Sequence, residues 1–295
     1  MAKPLRILHD KLFEALLQMP LPIVVKVQPG LAGFFGKVFL TINGLRIAQK
    51  YGKRAVVHWG AGSPYFEAAR GPNAFAYFFR NDKFDFSEGR HEVAFTVPYR
   101  PGADDFFVYD GVSPRRSVSQ ALHAWCQPRC EISTAVAAFH LEQFGSRPML
   151  GLHIRLTDVA MGAEGRRTVG MDQIVGSVDA WLERQQDGGI FLATDDDCAI
   201  TFFKKRYGCR VVFQNCLRSQ DGTSIHGHYD AGIDGSPYQK GYEVLVDALL
   251  LARCNHLIRT HSRVTAFSLC WNPSLSYIDL EREILGIDRT PWLHA

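Results

Sequence analysis

The sequence has no uninterrupted apolar run of membrane-spanning length, no paired Cys-x-x-Cys sets, no long basic block, no fixed-period repeat and no low-complexity tract. Each absence excludes something. The apolar stretch 15–27 is broken by Gln18, Pro20, Pro22 and Lys26 and is too short to cross a bilayer. The first residues lack the basic start, apolar middle and small-residue cleavage site of a secretory leader. A cytoplasmic protein is therefore expected, with peripheral membrane contact left open. Seven cysteines, an odd number, stand at 126, 130, 198, 209, 216, 254 and 270, and they read as reduced, mostly buried thiols of a reducing compartment. Cys126 and Cys130 have no matching second pair, so no zinc site is expected. The net charge is only +3, and Lys204-Lys205-Arg206 and Arg166-Arg167 read as solvated faces. General nucleic-acid binding is excluded on that ground.

What is present is a globular composition, 46% hydrophobic and 21% charged, in 295 residues, enough for one large domain or two of ordinary size. Residues 5–18 have apolar side chains at helical spacing. A β-branched strand at 23–27, a glycine-rich turn at 29–36, a helix over 37–51 with Gly52 at its end and a strand at 54–59 make a βαβ unit. The aromatic-, Gly- and Pro-rich segment 60–114 reads as long functional loops with short elements. Helices are expected over 117–125 and 132–144. A second α/β series follows: strand from 149, helix 172–186, strand 189–193, helix 197–207, strand 210–213, polar loop 215–238, helix 241–254, strand 256–259 and helix 262–270. Such alternation implies a mostly parallel sheet covered by helices on both faces. The expected division is an N-terminal α/β domain, 1–147, and a C-terminal Rossmann-like domain, 148–295.

Several stretches could carry chemistry. In 148–158, PMLGLHIRLTD, His153 and Arg155 share one face of a strand and Asp158 follows in the loop. A guanidinium at the carboxyl edge of a parallel sheet suits a phosphate. An ion pair between Arg155 and Asp158 fits the same residues equally well. The turn before Lys37 fails as a phosphate loop, because Leu31 stands where glycine is needed and Val38 where Ser or Thr is needed. Gly33 and Gly36 instead permit close backbone approach, or simply a tight turn. After the strand 189–193, Thr194-Asp195-Asp196-Asp197 offers three carboxylates. Asp197 is the expected helix cap, leaving Asp195 and Asp196 to accept hydrogen bonds from a ribose or a guanine edge. Asp247, in an apolar helical run, requires a partner, a ligand or solvent. Ser262 can cap the last helix, whose amides would bind an anion such as a diphosphate. Arg259 and Arg263 add charge there, although Arg259 is equally readable as an exposed strand residue. His226 and His228 have a metal-compatible spacing but no third ligand, and no Gly-x-Ser-x-Gly elbow exists.

Taken in order, GLHIRLTD, IFLATDDD and YEVLVDALLLARCNHLIRTHSRV resemble the superfamily of α-1,6-fucosyltransferases, nodulation fucosyltransferases and protein O-fucosyltransferases, most strongly over 148–270. The resemblance implies a GT-B-like α/β fold with two Rossmann-like domains facing across a cleft, 1–147 being the acceptor side. It implies inverting transfer of fucose from GDP-fucose to a glycan hydroxyl, with no cofactor and no required metal. A surface polysaccharide or lipid-linked oligosaccharide of a bacterium is the expected acceptor. Carried over by position, Arg155 resembles the arginine on the donor β-phosphate and His153 its neighbour in the nucleotide site. Asp195 and Asp196 are similar to the acidic pair after the strand, and Asp247 to the carboxylate holding guanine or ribose. Ser262 and Arg263 fall where the family meets phosphate, His226 matches a loop histidine, and Gly33 belongs to the glycine-rich loop. The family's glutamate base falls near Glu164. The chain departs from the pattern at Leu156, where the core enzymes have a second arginine, and at Thr260-His261-Ser262-Arg263 in place of Thr-x-Ser-Ser. Transfer of another nucleotide-activated sugar, or a non-catalytic glycan- or nucleotide-binding relative, are the alternatives.

Overall fold

The structure, a computed structural model, describes residues 15, 18–19, 23–27, 33–80, 93–96, 114–155, 169–220 and 235–293. The helix expected over 5–18 lies almost wholly outside these residues. Two sheets, both entirely parallel, organise the chain. The first has the order β2-β1-β3, from β1 (Ile23–Val27), β2 (Arg54–Val57) and β3 (Val93–Thr96). Helix α1 (Phe34–Lys50) connects β1 to β2 and so completes the expected βαβ unit. It starts three residues earlier than periodicity suggests, because Phe34 and Phe35 are buried and draw the first turn into the core. Lys37 is buried in the same helix, and burial lowers its ammonium to about 8.

The aromatic segment after β2 is largely core in its described part. Phe34 makes edge contacts with Tyr65 (5.2 Å), Trp59 (5.7 Å) and Phe78 (4.9 Å), the last on the short helix α2 (Phe75–Phe78). Asn73 closes the turn: its Oδ1 accepts from the Trp59 and Phe75 amides, and its Nδ2 donates to the Val57 carbonyl. Helices α3 (Pro114–Trp125) and α4 (Cys130–Phe139) follow, α4 running into a π turn at His140–Phe144.

The second sheet comprises β4 (Met149–Ile154), β5 (Gly189–Thr194), β6 (Val211–Val212), β7 (His256–Arg259) and β8 (Ser276–Asp279), in the order β6-β5-β4-β7-β8. Counted from β4 this is 3-2-1-4-5, the order of a doubly wound Rossmann-like sheet. Strands β4 and β5 are buried at every position, as expected where helices cover both faces. Leu150, Leu152 and Ile154 face Ile174 and Val178 of α5 (Met171–Arg184) and Phe203 of α6 (Asp197–Tyr207). Met149 on the other face joins Leu245, Ala248 and Leu249 of α7 (Pro237–Leu251). Helix α8 (Arg263–Trp271) lies beside α7, and Ser268 Oγ donates to the Ala248 carbonyl.

Helix α7 begins four residues before its expected start. Ser236 accepts from the Gln239 amide and Pro237 occupies the first turn, a capping pattern that outweighs Gly241 as a breaker. The sequence reading also stops short of β8 and of α9 (Leu280–Leu285), which Asp279 caps. All seven cysteines are free, but only Cys126, Cys254 and Cys270 are buried, while Cys130, Cys198 and Cys209 are exposed. The expectation of mostly buried thiols is corrected accordingly. No described helix is long and apolar enough to cross a membrane.

The two sheets share one core. Phe35 lies 4.5 Å from Phe267 of α8, and Arg115 of α3 donates to the carbonyls of Leu269, Asn272 and Leu275 at the end of α8. At Gly241 an added Cβ would meet the Phe78 ring directly and Phe34 at 3.1 Å. Gly241→Val is therefore expected to overpack this junction and destabilise the protein by about 2 kcal/mol, read as a lower denaturant midpoint. An unchanged midpoint would show that the aromatic cluster yields freely.

Candidate nucleotide site

Parallel sheets bind ligands beyond the carboxyl ends of their strands, where the strand order reverses. Here the chain leaves β4 toward β5 and leaves β7 toward β8, so the reversal lies between β4 and β7. Register brings His153 level with Ala193 and Arg259, so these strand ends form one edge. A cavity enclosing about 600 Å³ of empty space, part of it open solvent, lies at this edge.

Its walls come from both sides of the reversal. β4 contributes His153 and Arg155, and the end of β5 contributes Ala193, Thr194 and Asp195. Ser262 and Val264 enter from the β7 side, Cys216 and Leu217 from the loop after β6. Helix α7 roofs the cavity with Lys240, Glu243, Val244 and Asp247, positions whose spacing of three and four puts them on one helix face.

The β7 side is cationic. Ser262 caps α8 by accepting from the Val264 amide, and the start of that helix presents its free amides and positive dipole end. Burial first, and then Arg259, Arg289, Arg263 and Arg155, push the His261 imidazole down to about 3, so it is neutral and the turn beside it lies in a positive field. Arg259 does not face the cavity: it is 0% exposed and ion-paired with Asp279 at 3.4 Å. The reading of Arg259 as a phosphate ligand or an exposed strand residue is corrected, because a buried guanidinium requires a buried counter-ion. Arg263 is exposed, makes no ion pair among the described residues and is not in the cavity wall.

The β5 side is acidic. Asp247 is 9% exposed, and its Oδ1 has no hydrogen-bond partner among the described residues. Burial raises its carboxyl from 3.8 to about 7, Glu243 adding to the rise and Arg218 opposing it. A buried acceptor without a donor is costly, and here it sits in a cavity wall where a ligand can supply one. Asp195 lines the cavity, whereas Asp196 is the cap of α6, its Oδ1 accepting from the Cys198 amide at 2.6 Å and the Ala199 amide at 3.3 Å. The expected roles of Asp196 and Asp197 are thus exchanged. Asp196 has extended backbone before the helix, as a cap must, while Asp197 already lies in the first turn.

Gly33 precedes α1 outside the cavity wall, and neither its φ of −59° nor any close contact requires glycine there. Its neighbour Phe34 packs on Gly241, next to Lys240 in the roof. Asp158, Glu164, His226 and His228 lie outside the described residues. Among those described, no three His, Cys, Asp or Glu side chains are grouped to hold a metal ion. The sequence reading missed Lys240, Glu243 and Cys216. Glu243 had a legible signal, since it stands four residues before Asp247 in an apolar helix, two carboxylates on one face. Cys216 and Lys240 had none.

No family model matches the chain, and none of the curated proteins matches it. Solved structures do. The fucosyltransferase NodZ from Bradyrhizobium superposes with a TM-score of 0.54 at 17% identity, covering 90% of this chain and 97% of that one. The chain has the fold of that fucosyltransferase. NodZ α-1,6-fucosyltransferase soaked with GDP-fucose gives 0.52 at 18% identity over 85% and 93%. A mutant of FUT1 from Arabidopsis thaliana in complex with GDP gives 0.53 at 9% identity over 92% and 74%. The fold is thus α/β and GT-B-like, as the motifs imply.

Holding the Asp247 carboxyl at about 7 instead of 3.8 disfavours its charged form in the folded protein by on the order of 4 kcal/mol. The sign follows from a folded pKa raised above the unfolded one. The penalty is absent below about pH 4, grows from there to pH 7 and is complete above it. Asp247→Asn is therefore expected to raise the melting temperature at pH 8 and to leave it unchanged at pH 4. Equal effects at both pH values would refute the assignment of a strained carboxylate.

Proposed function

We propose that the protein is an inverting glycosyltransferase that moves fucose from GDP-fucose to a glycan hydroxyl. The observation that carries the proposal is the buried Asp247 Oδ1, without a hydrogen-bond partner among the described residues, in a cavity whose other side holds Arg155 and the start of α8. A nucleoside diphosphate has the complementary polarity: N–H donors on a guanine, hydroxyls on a ribose and negative charge on the phosphates. The likeness in fold to NodZ soaked with GDP-fucose supports the same reading.

In this proposal Asp247 and Asp195 accept from guanine or ribose, and His153 lines the nucleotide. Arg155 and the α8 amides stabilise the charge that grows on departing GDP, with Arg263 near the outer phosphate. The acceptor oxygen forms a bond to C1 of the sugar as the bond from C1 to the phosphate oxygen breaks, and GDP leaves with the electron pair. The hydroxyl proton passes to a base, for which Glu164 is proposed. Asp158 and His226 belong to the proposed donor site through the resemblance, whereas Gly33, outside the cavity wall, is not given a role in it. The division into an acceptor side, 1–147, and a donor side, 148–295, metal-independent chemistry and a cytoplasmic location are parts of the same proposal.

A thermal-shift panel of GDP, UDP, CDP and their sugars tests it. A ligand at one hundred times its Kd stabilises the native state by about 2.7 kcal/mol, which raises the melting temperature by several degrees. Stabilisation by GDP, lost in Arg155→Ala, and slow release of GDP from GDP-fucose are expected. Preference for UDP or CDP would reassign the donor, and binding without any GDP release would make the protein a binding relative.

A further inference from the structure

We propose that Glu243 is the positioning residue that shapes the base-binding side of the cavity, by pinning the 213–219 loop onto α7 beside Asp247. The inference rests on the nucleotide reading above and deepens it. Glu243 is 9% exposed and lines the cavity one helical turn from Asp247. Its Oε2 accepts from the Leu217 amide at 2.9 Å, and its Oε1 accepts from Gln239 Nε2 at 2.8 Å. Both oxygens are therefore occupied by this protein, which distinguishes it from Asp247.

The loop that Glu243 holds is anchored at its start by Phe213, which packs on the core of the second sheet and lies under the Lys204 ammonium of α6. At its far end Ser219 is tied to the turn between β5 and α6, its amide donating to the Asp195 carbonyl (2.9 Å) and its carbonyl accepting from the Asp197 amide (3.1 Å). In between, Arg218 braces the loop against itself, donating to the carbonyls of Cys216 and Gln214 and lying over the Phe213 ring. The Leu217 amide is thus bonded to α7 through Glu243 while its side chain packs on Gly235 just before that helix, and with Cys216 it forms the wall beside Asp247. Without that bond the backbone of the wall loses its hydrogen bond to α7. The groups facing Asp247 are Glu243 on its own helix, Arg218 and Cys216 on the loop, with Asp195, His153, Arg155 and Lys240 in the same cavity. Glu243 places a negative charge near Asp247 and raises its pKa.

Calorimetric titration of the full-length protein with GDP and with inorganic pyrophosphate, from pH 6 to 8.5, tests the assignment. For Glu243→Ala the Kd for GDP is expected to rise about tenfold while pyrophosphate, held by Arg155 and α8, binds as in the wild type. Glu243→Gln can keep the bond to the Leu217 amide, so it is expected to retain GDP affinity within about threefold at pH 8. Removing the like charge also moves the pH midpoint of GDP binding to a lower value. Should Glu243→Ala not fold, Glu243→Leu, closer in volume, carries the same test. Unchanged GDP affinity in Glu243→Ala, or equal losses for GDP and pyrophosphate, overturns the positioning role and leaves the nucleotide reading intact. A wild-type protein that binds pyrophosphate but no nucleoside diphosphate overturns both.

Discussion

The close approach of helix α7 to the second sheet governs this site. Gly151 in β4 allows it: a Cβ there would come within 3.1 Å of Leu251, 3.2 Å of Cys254 and 3.2 Å of Leu257. One face of α7 then runs from core to cavity, Leu251 lying against the strand and Asp247, Val244, Glu243 and Lys240 following at helical spacing over the sheet edge. The same packing that buries apolar area therefore also carries two carboxylates into a cavity they would not otherwise enter.

That arrangement holds two electrostatic environments in one pocket. Toward β7 the cations are partly neutralised by a network in which buried Asp279 meets buried Arg259 and half-buried Glu281 accepts from both the His261 amide and Arg289. This fixes the turn that presents the start of α8. Toward β5 the carboxylates exceed the cations, and Asp247 is carried at a cost in stability. Functional sites commonly hold such unfavourable groups while the rest of the fold supplies the stability they remove.

The second half of the fold was legible because its signals are local. Fully apolar strands bounded by turns predict buried parallel strands, and β5, α6 and β7 fall within a residue of expectation. The placements that failed involve competition between neighbours. Asp195, Asp196 and Asp197 are chemically alike, and which one caps α6 depends on where extended backbone turns helical, itself set by the pairing of Asp196 with Ser219. Arg259 looked like a surface cation because its counter-ion Asp279 is twenty positions on, in a strand that shows no clear alternation.

The sequence by itself determined the parallel α/β architecture, the face shared by His153 and Arg155, the cap at Ser262 and the need of Asp247 for a partner. These follow from strand alternation, helix spacing and the cost of burying a charge, which act within a few residues. Tertiary structure alone decided that Arg155, Asp195, Asp247 and Ser262 meet in one cavity, that Glu243 and Lys240 join them, and that Arg259 does not. Those outcomes depend on strand order and helix placement, contacts between residues far apart in the chain, which no local pattern encodes.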